Sequence, residues 1–411
     1  MKRIIALFLI FGVAACEESN VQPGDDNLPN LRPLSNQEVE LIDATNQFSF
    51  NIIKSLDQEE TGNNFFISPV SIGYALGMVF NGADGETKQG IKNTLDFGEL
   101  SDAEINLAYK NLTALLLNMD KKVELGLANS IWYKNSYTVN PDFANKMKDF
   151  YDARIEGIDF SAPTAKDIIN GWIEGKTNDR IKDMLDEIPA NAVMYLINAI
   201  YFKADWTYQF DESATKKDEF FLEDGSSAQV DMMFSEGSTV NYYNTDALQM
   251  IDIPYGNKQF SMTILLPHHG NSIDQVWQNM SADKLAEMDA GSDTATVELY
   301  LPKFELQYKK TLNEILASMG MQRAFTPQAE LPFLLVESPV LSISRVLHQS
   351  FLKIDEKGSE AAAATIVEIV KTSVGGGKPK TIRIDRPFGL MIREKHSGAV
   401  LFAGKIVNPN Q

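Results

Sequence analysis

The chain has 411 residues, of which 44% are hydrophobic and 23% are charged, the composition of a globular protein that can bury a sizeable core. Its formal charge is −19, because 56 acidic residues outnumber 37 basic ones, and so acidic a surface excludes nucleic acid as a partner. The length alone allows one large domain or two to three smaller ones.

The first fifteen residues have the pattern of a secretory leader. Lys2 and Arg3 precede an apolar run over residues 4–13, which is too short to span a bilayer. The run ends in Val-Ala-Ala-Cys, and Cys16 is the only cysteine of the chain. This ending resembles a bacterial lipoprotein box, which implies a signal peptide over residues 1–15 and a lipid attached to Cys16. Ordinary cleavage that leaves an incidental free thiol is the alternative.

Residues 16–34 are expected to form a disordered tether. They are rich in Asn, Asp, Pro, Gly and Gln, and such a composition cannot offset the entropy lost on ordering. Glu17 and Glu18 directly follow the cysteine, which resembles the signals that send lipoproteins of the Bacteroidetes to the cell surface. We therefore expect a lipoprotein of the bacterial outer membrane, exposed at the cell surface and attached to the membrane through its lipid.

The first half of the remaining chain is mainly helical by pattern. Four apolar residues recur at helical spacing within residues 36–60. Ser68 is suited to cap a second helix, because Pro69 follows it in the first turn. Alternation over residues 123–133 predicts a strand. Further helices are predicted over residues 87–95, 102–119, 141–151 and 165–177.

The second half is mainly extended. Residues 193–202 form a continuous apolar run, which is typical of a buried central strand. Residues 218–267 alternate in short segments between turn residues, which predicts antiparallel strands. Further strands are predicted over residues 296–302 and 340–354, with a helix over residues 309–319 between them. Helices early and strands late, without an internal repeat, predict an α+β fold.

Residues 356–373 are compatible with two structures. Glu360 and the four alanines that follow it favour a helix, whereas the β-branched residues from Thr365 to Val370 favour a strand. As a strand, the segment has one uncharged face, which carries Ser359, Ala361, Ala363, Thr365, Val367 and Ile369. Three glycines then begin at Gly375, a composition that suits a loop. The pattern alone does not choose between helix and strand.

Several blocks of the sequence resemble the serpin family. Glu-Lys-Gly-Ser-Glu-Ala-Ala-Ala-Ala-Thr, which begins at Glu356, is similar to the hinge of an inhibitory serpin. Other blocks that resemble the family occur in its order over residues 64–72, 81–87, 198–206, 386–388 and 402–409. The resemblance implies a single serpin domain over residues 35–411. Its expected features are a large central mixed sheet, further smaller sheets, about nine helices and an exposed reactive-centre loop over about residues 356–385.

The resemblance implies a suicide-substrate inhibitor of serine proteases. In the family's mechanism a protease cuts the exposed loop and is held as an acyl ester. The freed segment then inserts into the central sheet as a new strand and distorts the protease, so hydrolysis stalls. The hinge residues that the resemblance assigns are Glu356, Gly358, Ser359, Glu360, Ala361, Ala362, Ala363, Ala364 and Thr365. A non-inhibitory interaction or storage protein with the same fold, cleaved as a substrate, is the alternative.

The resemblance also assigns two polar clusters that control insertion. The shutter lies under the centre of the sheet, and the breach lies where insertion begins. The shutter residues are Ser68, Ser71, Asn198 and His348. The breach residues are Trp206, Lys303 and Glu356.

The family's spacing from the hinge glutamate predicts the bond that is cut. It lies between Thr372 and Ser373, with the bonds after Lys371 and Val370 as alternatives. Threonine and valine suit the small pocket of elastase-like proteases, whereas lysine suits a trypsin-like pocket. We therefore expect a broad-range inhibitor whose partners are trypsin-like and elastase-like serine proteases of a host or a competitor.

The sequence carries no pattern of a catalytic centre. It contains no Gly-x-Ser-x-Gly elbow, no His-Glu-x-x-His helix and no phosphate-binding loop. His268 and His269 are adjacent, but neighbouring side chains in a chain tend to point apart. We expect a monomer without enzymatic activity, cofactor or metal site.

Overall fold

The computed structural model describes residue 29, residues 31–359 and residues 380–411. Some of the predicted features lie outside these residues, and for them the structure gives no test. They are the leader, Cys16, the hinge residues 360–365, and the reactive-bond residues Val370, Lys371, Thr372 and Ser373.

Nine α-helices form in the described part of the chain, the number that the resemblance implies. They are Asn36–Glu59 (α1), Pro69–Gly82 (α2), Gly85–Thr94 (α3), Asp102–Asn118 (α4), Pro141–Tyr151 (α5), Ala165–Lys176 (α6), Ile273–Asn279 (α7), Ala282–Ala290 (α8) and Asn313–Leu316 (α9). Ser68 caps α2 by accepting a hydrogen bond from the Ser71 N–H, with Pro69 in the first turn as predicted. None of the helices described is long and apolar enough to cross a membrane.

Fifteen strands in the described residues form two sheets. They are Phe65–Ile67 (β1), Val123–Lys134 (β2), Arg154–Ile158 (β3), Met194–Asp205 (β4), Lys216–Phe221 (β5), Ser227–Asn244 (β6), Leu248–Tyr255 (β7), Phe260–Pro267 (β8), Asp293–Pro302 (β9), Phe304–Thr311 (β10), Leu347–Ile354 (β11), Gly358–Ser359 (β12), Lys380–Arg383 (β13), Phe388–Glu394 (β14) and Val400–Ile406 (β15). The fold is therefore α+β, as predicted.

The first sheet has six strands in the order β10-β11-β12-β4-β2-β3. It is mixed, because β2 and β3 run parallel while the other pairs are antiparallel. The short strand β12 pairs with β11 on one side and with β4 on the other. Among the described residues, β4 and β11 are joined only through β12. The space between these two long strands is called the β4/β11 interval below.

The second sheet has nine strands in the order β1-β15-β14-β8-β7-β6-β9-β13, with β5 paired to β6. The 18-residue strand β6 pairs with β5, β7 and β9. The smaller sheets that the resemblance implies are therefore joined into one continuous sheet. The main core lies between the two sheets. There Phe202 of β4 contacts the rings of Tyr255, Phe260 and Phe402, which lie on the second sheet.

Two predicted elements differ from the structure. The strand predicted over residues 340–354 begins only at Leu347, because the Asn313 side chain bonds the N–H of Val346 and the carbonyl of Ser344 and so holds the preceding segment in a loop. The helix predicted over residues 309–319 is wrong at its start. Residues 309–311 end β10, whose pairing with the whole of β11 overrides helical propensity.

Candidate functional site

The predicted breach residues meet where the hinge begins. The Glu356 carboxylate accepts hydrogen bonds from Lys303 Nζ and Thr215 Oγ1, both at 2.9 Å. The Glu356 carbonyl also accepts a hydrogen bond from the Phe210 N–H at 2.9 Å. Burial raises the pKa of Glu356, but the bonds from Lys303 and Thr215 outweigh this effect and hold it below its ordinary value. The carboxylate is therefore charged at neutral pH and fixes the first hinge residue.

Trp206 bonds the backbone of the residues that precede and follow Glu356. Its indole N–H donates to the Asp355 carbonyl at 2.9 Å, and its backbone N–H donates to the Lys357 carbonyl at 2.8 Å. The buried indole ring stacks on Tyr255, with 4.4 Å between ring centroids and 9° between planes. All three predicted breach residues thus hold the same short segment of backbone.

Gly358 and Ser359 continue from this anchor into the sheet as β12. A Cβ atom on Gly358 would lie 2.1 Å from the Ala204 carbonyl oxygen and 2.7 Å from Asp205 Cα. Glycine is thus required here by close backbone packing in the sheet. The side chain of Ser359 points into the core, where its hydroxyl is hydrogen-bonded to the Tyr255 hydroxyl.

The predicted shutter residues also come together, beneath β4 and β11. The Ser68 N–H donates to His348 Nε2 at 3.1 Å, and the Ser68 hydroxyl donates to the Leu401 carbonyl at 2.7 Å. The same hydroxyl oxygen accepts from the Ser71 N–H at 3.2 Å. The Ser71 hydroxyl in turn donates to Asn198 Oδ1. The four side chains form one buried chain of neutral hydrogen-bonding groups that connects α2 with both long strands of the first sheet.

His348 is neutral in this network. Its Nε2 atom accepts a hydrogen bond from the Ser68 N–H, so the ring proton lies on Nδ1. Complete burial lowers the pKa of His348 from 6.5 to about 4, because the charged ring would lose its hydration. The shutter thus contains a histidine that stays uncharged over the physiological pH range.

Sequence reasoning missed three residues that complete these clusters. Asn129 accepts from Asn198 Nδ2 at 2.7 Å, while Thr215 and Tyr255 bond Glu356 and Ser359. The only local signal was at Asn129, a polar residue within the alternating pattern of a predicted strand. Among the described residues, no group of three or more His, Cys, Asp and Glu side chains is placed to hold a metal ion.

The comparisons with known proteins agree with this architecture. The family model described as "Serpin (serine protease inhibitor)" matches residues 43–409. An uncharacterised serpin-like protein of Methanosarcina acetivorans is 30% identical over 100% of this chain and 99% of its own. Serine proteinase inhibitor 2.4 of Apodemus sylvaticus is 31% identical over 96% of this chain and 93% of its own.

A solved structure extends the likeness to three dimensions. The crystal structure of tengpin, a thermophilic serpin in the native state, is 30% identical, has a TM-score of 0.81 and covers 92% of this chain and 95% of its own. The region matched by the family model includes both the breach and the shutter residues. The chain therefore belongs to the serpin family, whose members are in general protease inhibitors and not catalytic enzymes.

Proposed function

We propose that this protein inhibits serine proteases by inserting its cleaved loop into the six-stranded sheet while the protease is still attached as an acyl ester. The observation that carries the proposal is β12, which pairs with β11 and β4 at once. The first hinge residues already hold the position that an inserted strand would extend. This arrangement favours an inserting inhibitor over a fold that is only cleaved as a substrate.

The register of β12 predicts the neighbours of each inserted residue. Ser359 lies opposite Ile354 of β11 and Ala204 of β4, so each further residue advances by one along both strands. In this register Ala361 would lie between Leu352 and Phe202. Those two side chains and Ser359 line a cavity of about 10 Å³, roughly the space of one small group. The small side chain of alanine suits this space.

Four residues further, Thr365 would lie between His348 and Asn198. Both of these side chains are buried on the inward face of their strands, the face that Ser359 also occupies. A threonine hydroxyl would have hydrogen-bonding partners there, whereas an apolar residue would separate two polar groups without replacing their bonds. Insertion would therefore proceed through the shutter, which supports a role for this network in controlling insertion.

The length of β4 supports the expected range of cleavage sites. In the same register residue 369 would face Met194, the first residue of β4. A protease attached at Val370, Lys371 or Thr372 would then lie beyond the end of the strand. Loops cut at any of the three bonds would insert to nearly the same depth, so both elastase-like and trypsin-like proteases are proposed targets.

The test mixes the purified protein with trypsin and, separately, with an elastase. We expect an SDS-resistant adduct near the summed mass in both reactions. The released C-terminal peptide should begin at Thr372 with trypsin and at Ser373 or Lys371 with elastase, as mass spectrometry would show. Complete cleavage without an adduct would reject the inhibitor and favour the non-inhibitory serpin.

We propose, in addition, that a lipid on Cys16 holds the protein on the outer membrane of a bacterium, facing outward. The leader pattern and the position of the single cysteine support this location. The folded part begins close in sequence to the proposed anchor. The Arg32 guanidinium already bonds the Glu38 carboxylate and the Asn111 carbonyl. Incorporation of labelled palmitate into the wild type but not into Cys16→Ser tests the anchor. Digestion of the protein on intact cells by added protease tests the outward orientation.

A further inference from the structure

An apolar cluster is exposed in the loop between α9 and β11. Val340 is 84% exposed, Val336 57% and Phe333 44%, and no other eight-residue stretch of the described chain exposes as many large apolar side chains. Single exposed apolar residues are ordinary on protein surfaces, whereas three within one short segment are unusual and indicate an interaction site. Phe333, Val336 and Val340 are called the pole patch below.

The loop that carries the pole patch is fixed to the body. Its neighbouring residues Leu334 and Leu335 are buried, and Leu335 forms a backbone bridge with Val139. The Val336 N–H donates to the Thr138 carbonyl at 2.8 Å. The patch is therefore presented in a defined position, and its exposure does not come from a loosely held chain.

The pole patch lies at the end of the β4/β11 interval that is opposite to β12. The loop leads directly into Leu347, where β11 begins. On the other side Met194, the first residue of β4, pairs with Tyr133 near the end of β2. Thr138, which binds Val336, follows β2 by a few residues. The patch is thus linked to the strand ends on both sides of the interval, through Thr138 on one side and through its own chain on the other.

The register of β12 identifies what would arrive at this end. Residue 369 would face Met194, so an ester formed at residues 370–372 would emerge beside the pole patch. Ten inserted residues extend about 33 Å along the sheet, which separates this end from the place where a protease first meets the loop. The loop that carries the patch is itself almost neutral, since residues 331–346 carry only Glu337 and Arg345 as charged groups. It therefore adds little charge of either sign to a contact with a partner.

We propose that the pole patch is a docking surface for the protease after it has been trapped. This inference rests on the proposed inhibitory function. Apolar contact with Phe333, Val336 and Val340 holds the acylated protease against the end of the sheet and restricts the movements by which its active site would re-form. The patch therefore lengthens the life of the adduct and takes no part in the first encounter with the loop.

The test compares two variants of the full chain with the wild type. The first is Phe333→Ser/Val336→Ser/Val340→Ser. The second is Leu107→Ser/Leu117→Ser/Ile168→Ser, which removes three other exposed apolar side chains, on α4 and α6. Each is reacted with trypsin, and two quantities are measured: the second-order rate of inhibition and the rate at which active trypsin returns from the isolated adduct.

We expect the pole-patch variant to inhibit at the wild-type rate but to release active trypsin roughly tenfold faster, the effect of about 1.4 kcal/mol of lost contact. The control variant should match the wild type in both rates. Equal lifetimes for all three adducts, or an equal shortening in both variants, would overturn the docking surface and leave inhibition intact. Failure of the wild type to form any adduct would instead overturn the inhibitory function and, with it, this inference.

Discussion

The breach and the shutter hold the same sheet by opposite means. The breach depends on an ion pair between Glu356 and Lys303, and the lysine side chain is 42% exposed. The shutter depends on neutral hydrogen bonds among Ser68, Ser71 and their partners, all of which are buried. Water can replace a partner at the breach when the strands separate, but it has no access to the shutter.

This difference assigns a separate task to each of the two clusters along the proposed insertion path. The Glu356 side chain is only 8% exposed, but its lysine partner remains in contact with water, so opening the breach is expected to cost less than opening the shutter and allows insertion to begin. A buried polar group left without a partner costs about 1–3 kcal/mol, so the shutter resists separation until new partners arrive. We therefore expect the breach to guide the hinge and the shutter to set the barrier. Four predictions test this division, in order of decreasing effect.

The largest effect is expected at Ala361. The register of β12 directs its side chain into the core between Leu352 and Phe202. Ala361→Arg would bury an unpaired charge there, so insertion should fail and the protein should be cleaved as a substrate. Denaturing gels should show the adduct lost and the cleaved form increased. Glu360→Gln is the control, because that side chain would lie on the outer side of the sheet beside the half-buried Lys203 and Lys353, where a neutral amide remains solvated. If the control loses its adduct as completely as Ala361→Arg, the register is wrong.

The second largest effect is expected on the stability of the folded protein at acidic pH. The pKa of His348 is about 4 in the folded protein, where the ring is buried, and 6.5 in the unfolded chain. Between these two pH values the unfolded chain therefore binds the proton more readily than the folded protein does. Its contribution to stability is complete above about pH 6.5 and falls as the pH approaches 4, by up to about 3 kcal/mol. The pKa of Glu356 is also lowered, but from an ordinary value of 4.5, so its contribution to stability is lost only as the pH falls below about 4.5.

Urea unfolding at several pH values tests the histidine. His348→Gln, which keeps an acceptor for the Ser68 N–H, should flatten the fall in stability between pH 6.5 and 4. His269→Gln, at an exposed position, should leave the fall unchanged. A wild-type protein equally stable at both pH values would show that burial does not lower the pKa of His348.

The third effect is the loss of a single shutter bond. Ser71→Ala removes the donor to Asn198 Oδ1 and leaves a buried acceptor unsatisfied, which should lower the free energy of unfolding by about 1–3 kcal/mol. Ser55→Ala removes an exposed hydroxyl on α1 and should change it by less than about 0.5 kcal/mol. A similar loss of unfolding free energy in both variants would show that the Ser71 bond contributes no more than a hydrogen bond at the surface.

The sequence could predict the parts of this site that depend on local pattern or on family resemblance. Ser68 at a helix start and the apolar run of β4 follow from local rules, and the structure confirms both. The resemblance assigned Trp206, Lys303 and Glu356 to one cluster, and these residues lie together in the structure. These positions are recognisable because each lies in a block whose residue types are tightly constrained.

The rest depends on contacts between distant parts of the chain. The resemblance assigned Gly358 to the hinge without showing that its space is limited by the backbone of Ala204, more than 150 residues earlier. Tyr255 carries no local mark of its bond to Ser359. The start of the helix predicted at Lys309 failed for the same reason, because pairing with β11 decides the conformation of that segment. Residues such as these become visible only when the strands are placed side by side.

The smallest effect is expected at the breach itself. Lys303→Gln removes the charge that pairs with Glu356, but Thr215 still donates to the carboxylate and water can reach the vacated side. The free energy of unfolding should fall by less than about 1 kcal/mol, and the difference from the wild type should shrink further in high salt. Urea unfolding of both proteins at low and high salt measures this. A loss as large as that of Ser71→Ala, unaffected by salt, would mean that the breach is held as firmly as the shutter, and the barrier to insertion would then lie at both clusters.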